Sequence, residues 1–286
     1  MAADTQLDTT STFGSHRHKF QERLIWQLAD WKFLPQSLRQ RLRKRFARAV
    51  AGPFDIEHDA MRFRLYPAEN YCDRILFGRR QLPEQAEHQA LDEIIKPGMV
   101  FVDIGANVGS YSVYVGVRSQ GATLIGFEPH PRTFQKLLFN LSANHLPVDH
   151  IVNAAAGEAH SSLSLWSDGG SNIGHTSLLR EGTTNPKKSV EVRVVPLADS
   201  LRAWCIERID LLKIDVEGYE DRALVPFLET APDTLLPGHV LVETDHKHLW
   251  QQDLLAKLKE RGYAPRFSTG QNLLLRRGPH HNRTRG

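Results

Sequence analysis

Apolar positions recur with two different rhythms along this 286-residue chain, helical first and strand-like later. From Phe20, residues Leu24, Ile25, Leu28 and Trp31 follow at helical spacing until Pro35 breaks the run. Ser37 can cap a second helix to about Val50. Its apolar face reads Leu38, Leu42, Phe46, Val50, with Arg39, Arg41, Arg43, Lys44, Arg45 and Arg48 elsewhere. Residues 54–82 read as short extended pieces, since Met61 to Tyr66 alternates with period two before Pro67. A helix is predicted over 84–95, closed by Lys96-Pro97-Gly98.

From Met99 onward, continuous apolar runs alternate with helical patterns. The runs at 99–104, 121–127, 150–156, 209–214 and 238–242 read as buried strands. Helices are predicted over 110–119, 133–143, 197–204, 219–228 and 249–261. Two further strands, 162–167 and 190–195, flank a Gly/Ser/Asn-rich loop at 168–186, and 266–268 with 272–275 reads as a terminal hairpin. The alternation predicts an α/β fold built from βαβ units around a mainly parallel sheet.

The division expected is an unstructured tail at 1–18, an extension of helices and short strands at 19–82, the main domain at 83–277 and a basic tail at 278–286. Charge sharpens this division. Residues 1–50 hold ten Lys or Arg against four acids, so a basic arm precedes a mildly acidic body within a net charge of +3. The narrow, aromatic-poor stripe of the second helix favours docking on the body over a surface for anionic lipid or nucleic acid. Two cysteines without metal-type spacing, and a polar first twenty residues, favour a cytoplasmic protein. The apolar piece from Leu24 to Leu34 is broken by Gln27, Asp30 and Lys32, so no membrane span is expected.

The chemistry gathers at strand ends. Asp103, Glu128, Asp215 and Glu243 each close a predicted strand, and ligands of open α/β sheets sit at the carboxyl ends of the strands. After Asp103 the turn reads Gly105-Ala106-Asn107-Val108-Gly109. A dinucleotide fingerprint needs glycine where Asn107 and Ser110 stand, so a nicotinamide cofactor is disfavoured. A carboxylate at Asp103 suits a cationic ligand such as a methionine ammonium, and Glu128, followed by Pro129, suits a ribose diol. Together they favour S-adenosyl-L-methionine, with Asn153 and Ala154 at the adenine edge.

Three stretches then carry a resemblance: Val102-Asp103-Ile104-Gly105-Ala106-Asn107-Val108-Gly109, Phe127-Glu128-Pro129, and Lys213-Ile214-Asp215-Val216-Glu217-Gly218. They resemble the FkbM family of methyltransferases over about residues 83 to 277. The resemblance implies a Rossmann-like, class I methyltransferase sheet of seven strands with helices on both faces, S-adenosyl-L-methionine as donor and a hydroxyl acceptor. The long arm, and Arg79-Arg80-Gln81 where the family more often has an aromatic–acidic pair, depart from its pattern.

Methyl transfer needs an acceptor oxygen held near the methyl carbon and relieved of its proton. Asp215, Glu217 and His246 are the candidate catalytic residues, and Asp215 is equally a candidate to anchor the acceptor or the cofactor ammonium. Lys213 lies two positions before Asp215 and so on its face of the strand, where a structural ion pair with Asp215 or Glu243 is expected. His246 and His248 beside Glu243 and Asp245 lack a chelating spacing, and no metal is expected. Ser171, Asn172 and Ser177 are candidate contacts to a small-molecule or glycan acceptor. Nucleic acid is not the expected partner, because no base-methylation motif accompanies the basic arm.

Overall fold

The computed structural model describes residues 6–31, 33–167, 176–183 and 186–278. The arm begins with helices α1 (Phe20–Ala29) and α2 (Gln36–Ala49), which Pro35 separates as its position predicts. Strands β1 (Phe54–His58) and β2 (Met61–Leu65) then form an antiparallel hairpin. Next comes helix α3 (Tyr71–Arg79), where the sequence suggested only extended pieces. Its start is marked by Asn70, whose side chain accepts from the backbone N–H groups of Cys72 and Asp73. Six consecutive buried residues, Asp73 to Gly78, gave it no amphipathic rhythm to read.

The main domain follows with α4 (Gln85–Leu91), β3 (Val100–Ile104), α5 (Ser110–Arg118), β4 (Thr123–Phe127), α6 (Pro131–Ala143) and β5 (His150–Val152). An excursion of short strands comes next: β6 (Ala155–Ala156), β7 (Ser161–Ser167), β8 (Thr176–Ser177) and β9 (Lys188–Val195). The chain returns through α7 (Leu197–Ala203), β10 (Leu211–Ile214), α8 (Glu220–Thr230), β11 (His239–Glu243) and α9 (Leu254–Glu260). The hairpin β12 (Tyr263–Ser268) and β13 (Asn272–Arg277) closes it.

Seven strands lie in the order β12-β13-β11-β10-β3-β4-β5. The five from β11 to β5 run parallel, and β13 and β12 join antiparallel. Side chains alternate between two cores. Phe101, Leu211 and Leu241 face α5 and α6, while Val100, Val102, Ile104, Leu212 and Ile214 face α7, α8 and α9. Asp103 and Lys213 are register partners on adjacent strands and share the first face.

Two expectations change. The strand read over 150–156 is divided, because β6 leaves the main sheet and pairs with β9 in a second, four-stranded sheet. The polar segment expected to be an unstructured tail is tied down from residue 8. The Asp8 and Ser11 carbonyls accept from the buried Arg64 guanidinium, and Asp55 accepts from the backbone N–H groups of Gly14 and His16. Residues 1–5 and 279–286 lie outside the described residues, so the C-terminal basic tail does too, apart from Gly278.

The arm packs on the body through α3. A Cβ at Gly78 would lie 3.4 Å from the Gln27 nitrogen of α1, and Arg79 donates to the Asp30 carbonyl. The triplet that departs from the family pattern therefore begins at the arm's own contact.

Candidate active site

The turn after β3 is shaped by backbone contact. Gly105 (φ 79°) has the Asp215 carbonyl oxygen where a Cβ would stand, 1.9 Å away. Gly109 (φ 89°) starts α5, and a Cβ there would meet Leu137 at 2.7 Å. Both glycines are required by conformation and by space. Between them, Ala106 is buried and its N–H donates to the Phe127 carbonyl. Asn107 adopts φ 51°; its side-chain Oδ1 accepts from Asn70 Nδ2 at 2.8 Å and its backbone N–H donates to Glu128.

Two cavities meet at this turn. The first is mostly apolar and is lined by Phe127, Pro129, Ala155, Ala156, Leu165 and Tyr219, with Glu128 at its side. The small sheet forms one wall, since Leu165 belongs to β7 and Thr176 to β8. The second is a cleft with about 1470 Å³ of space, open to solvent. It holds the carboxyl groups of Glu84, Glu87, Asp215, Glu217, Glu243 and Asp245, with His246, and among the described residues its lining includes no Lys or Arg. Asn107 and Asp215 line both cavities.

Glu128 is 5% exposed. Its two oxygens accept from the N–H groups of Asn107 (2.9 Å) and His130 (2.8 Å). Burial pushes its pKa up to about 7, against the pull of those two bonds. Each oxygen keeps a lone pair for a further donor.

Asp103 is fully buried and lines neither cavity. It accepts from Ser112 Oγ at 2.6 Å and stands 3.7 Å from Lys213 Nζ, so direct contact with a ligand ammonium is not its arrangement. Burial raises its pKa while Lys213 opposes the rise. Lys213 Nζ donates to the Gly105 carbonyl at 3.0 Å and lies 3.4 Å from Asp215. Burial alone would lower the Lys213 pKa, but Asp215, Asp103 and Glu84 more than offset this and keep it charged. The expected ion pair thus forms with Asp215, and Asp103 completes it from below.

Asn153 and Ala154 do not line the apolar cavity. Asn153 donates to the Glu128 and Pro129 carbonyls and holds that turn, while Ala154 is in the core. Ala155 and Ala156 line that cavity instead, because the chain turns into β6 there. Ser177 is buried and donates to the Glu217 carbonyl, which makes it a structural link, not a free contact. Ser171 and Asn172 lie outside the described residues.

His246 Nδ1 stands 3.4 Å from Glu217 and 3.6 Å from Glu243 at the cleft wall. Glu243 is pushed up to about 9, by burial first and then by Asp215, Glu220 and Glu217. Asp215, Glu220 and Glu243 bring carboxylate oxygens within 4.8 Å of one another. The Glu220 oxygens already accept from Val216, Gly218 and Trp250, which gives that acid a structural task.

Sequence reasoning missed Glu84, whose carboxylate accepts from Tyr111 (2.7 Å) and is pushed up to about 7 by burial and by Asp215. Its Leu82-Pro83-Glu84 context read only as a helix start. Only the tertiary fold brings it opposite Asp215.

The family model of the methyltransferase FkbM domain matches residues 103–265, more than half of the chain. The chain belongs to the FkbM methyltransferase family. The match therefore runs from β3 to β12 and includes the apolar cavity, while Glu84, Glu87, Thr269, Gln271 and Asn272 of the cleft, like the arm, lie outside it. "Methyltransferase 1" of Beauveria bassiana is 29% identical over 42% of this chain and 54% of its own length. The 31-O-demethyl-FK506 methyltransferase FkbM of Streptomyces tacrolimicus is 29% identical over 46% of this chain and 60% of its own. Methyltransferase sdnD of Sordaria araneosa is 26% identical over 57% and 72%. The chain thus spans little more than half the length of the first two relatives.

Proposed function

We propose that this FkbM-family protein transfers a methyl group from S-adenosyl-L-methionine to a hydroxyl of a sugar or natural-product acceptor. The observation that carries the reading is the meeting of an apolar slot and an acidic cleft at Asn107 and Asp215.

The residues present fit the donor. The slot of Phe127, Pro129, Ala155, Ala156, Leu165 and Tyr219 suits a flat purine, and Glu128 keeps acceptor capacity for two ribose hydroxyls. Asp215, with its side chain 29% exposed, faces both cavities and suits a cationic end. When bound, the cofactor supplies an activated methyl on a sulfonium.

Lys213 fixes Asp215 and the Gly105 turn from beneath, so the groups around the methyl are held in place before the acceptor arrives. The acceptor occupies the cleft, where carboxylates and Asn272 and Gln271 accept or donate to its hydroxyls. His246 takes the acceptor proton. Its Nδ1 lies 3.4 Å from Glu217 and 3.6 Å from Glu243, and the Glu217 carboxylate is the neighbour that would stabilise the charge as it forms. The named substrate of the Streptomyces tacrolimicus relative supports a natural-product acceptor. A nucleic-acid acceptor is not favoured, since such a strand would meet carboxylates in the cleft.

Isothermal titration with S-adenosylhomocysteine tests the donor; no binding at high micromolar concentration would sink the proposal. Transfer of labelled methyl to a panel of glycans and polyketides tests the acceptor. A product methylated on nitrogen or carbon would overturn the hydroxyl assignment.

A further inference from the structure

The arm presents an unusual surface. Among the described residues, seven large hydrophobic side chains are exposed, and six of them fall between residues 20 and 38. Phe20, Leu24 and Leu28 form a stripe along α1 at i, i+4 and i+8, Trp31 follows just past the helix end, and all four face water. Trp26 and Ala29, on the opposite side, are the residues that α1 buries. At the tip between the helices, Trp31 meets Phe33 edge to face, and Phe33 is 86% exposed. The stripe of α2 behaves differently: Leu42, Phe46 and Val50 pack on the core, and only Leu38 is exposed.

Charge adjoins this apolar surface. Leu38, Arg41 and Arg45 share one face of α2 at i, i+3 and i+7, and Arg48 follows on the next turn. Arg41, Lys44, Arg45 and Arg48 are all exposed. An exposed aromatic tip, an aliphatic stripe and flanking arginines are the elements of interfacial membrane binding. No helix among the described residues is long and apolar enough to cross a membrane, so the contact is with the surface alone.

We infer that the α1–α2 hairpin docks this protein on an anionic lipid surface. Charge complementarity selects that occupant. A second copy of the chain would bring the same arginines face to face. A nucleic acid would pair with the arginines yet leave Leu24, Leu28 and Leu38 against a polyanion. Lipid alone satisfies both halves, because Trp31 and Phe33 enter the acyl boundary while the arginines meet phosphates.

The cleft lies close by. Asp30, next to Trp31, is paired with Arg74 at 3.0 Å, and the Arg74 guanidinium sits 5.4 Å from the Tyr71 ring at the cleft wall. Docking through the tip would set the mouth of the cleft beside the headgroups. The inference does not depend on the proposed acceptor.

Flotation of the full chain with vesicles tests it. Vesicles of phosphatidylcholine containing phosphatidylglycerol at about one part in three should carry the protein at low salt, and pure phosphatidylcholine should not. Binding should fall at least about tenfold at ~0.5 M salt. Trp31→Ser with Phe33→Ser, and separately Arg41→Glu with Arg45→Glu, should each weaken it by a similar factor. Unchanged circular dichroism and melting would show these exposed substitutions leave the fold intact, and Phe33→Ser alone serves if a double variant melts early. Absence of binding to anionic vesicles at low salt overturns the inference, as does binding that neither pair of substitutions alters. RNA binding lost in the arginine variant, or a dimer lost in the aromatic variant, with vesicles left unbound, would replace lipid by those partners.

Discussion

Gly105 and Asp215 touch backbone to backbone, and the Asp215 carbonyl oxygen occupies the space of a Gly105 Cβ at 1.9 Å. The contact joins the turn after β3 to the end of β10, the two loops that carry the candidate site. Gly105→Ala must therefore move one loop or the other and also strain a residue at φ 79°. The substitution should destabilise the protein by about 3 kcal/mol or more. Urea denaturation measures this, and an unchanged midpoint would mean the two loops are not in contact.

The ribose contact proposed for Glu128 predicts a pH-dependent affinity. Its carboxyl is raised to about 7, and ribose hydroxyls need the ionised form as acceptor. Ligand binding therefore releases a proton below that pH. Affinity for S-adenosylhomocysteine should rise as pH climbs to about 7, approaching about tenfold per pH unit at the acid end, and then level off. Titrations across this range in wild type and in Glu128→Gln are the check. The variant should bind weakly and with a flat profile.

Glu243 makes stability fall with rising pH. Its pKa is raised from 4.5 to about 9, so between those values the native carboxyl keeps a proton that the unfolded chain has released. The native state then binds more protons, and raising the pH favours unfolding. Glu84 and Glu128, each raised to about 7, add in the same direction over the lower part of that window. Melting temperatures of the ligand-free protein should decline from about pH 5 to pH 9, and Glu243→Gln should decline less steeply. An equal decline would assign the effect to other groups.

The segment before α1 should contribute to stability. Arg64 is 1% exposed, and it donates to Ser11 and Thr12 carbonyls at 3.0 Å as well as to both Asp55 oxygens. Removal of residues 1–12 deletes those carbonyls and leaves part of a buried guanidinium without acceptors. A loss of roughly 2–4 kcal/mol is expected, read as an earlier thermal transition. A truncated chain that melts like the full one would show the segment is dispensable.

Much of this was legible in the order of residues. Continuous apolar runs and helical rhythms located the parallel strands and their crossovers, because a strand covered on both faces is apolar throughout and a crossover helix buries one side. Gly105, Gly109, Glu128 and Asp215 were legible because turn geometry and charge at a strand end are local demands. The absence of glycine at position 107 disfavoured a dinucleotide from sequence alone.

Tertiary structure decided what depends on which side chains face one another. Asp103 looked like a ligand contact from its place at a strand end, yet its register with Lys213 turns it beneath the loop. Ala155 and Ala156, not Asn153 and Ala154, reached the apolar slot because the chain leaves the main sheet after Val152. Helix α3 and Glu84 escaped notice since a helix buried on most sides has no stripe, and an acid far along the chain has no local sign of its partner. The exposed stripe of α1 was likewise undecidable, because amphipathic spacing marks an apolar face without saying what covers it.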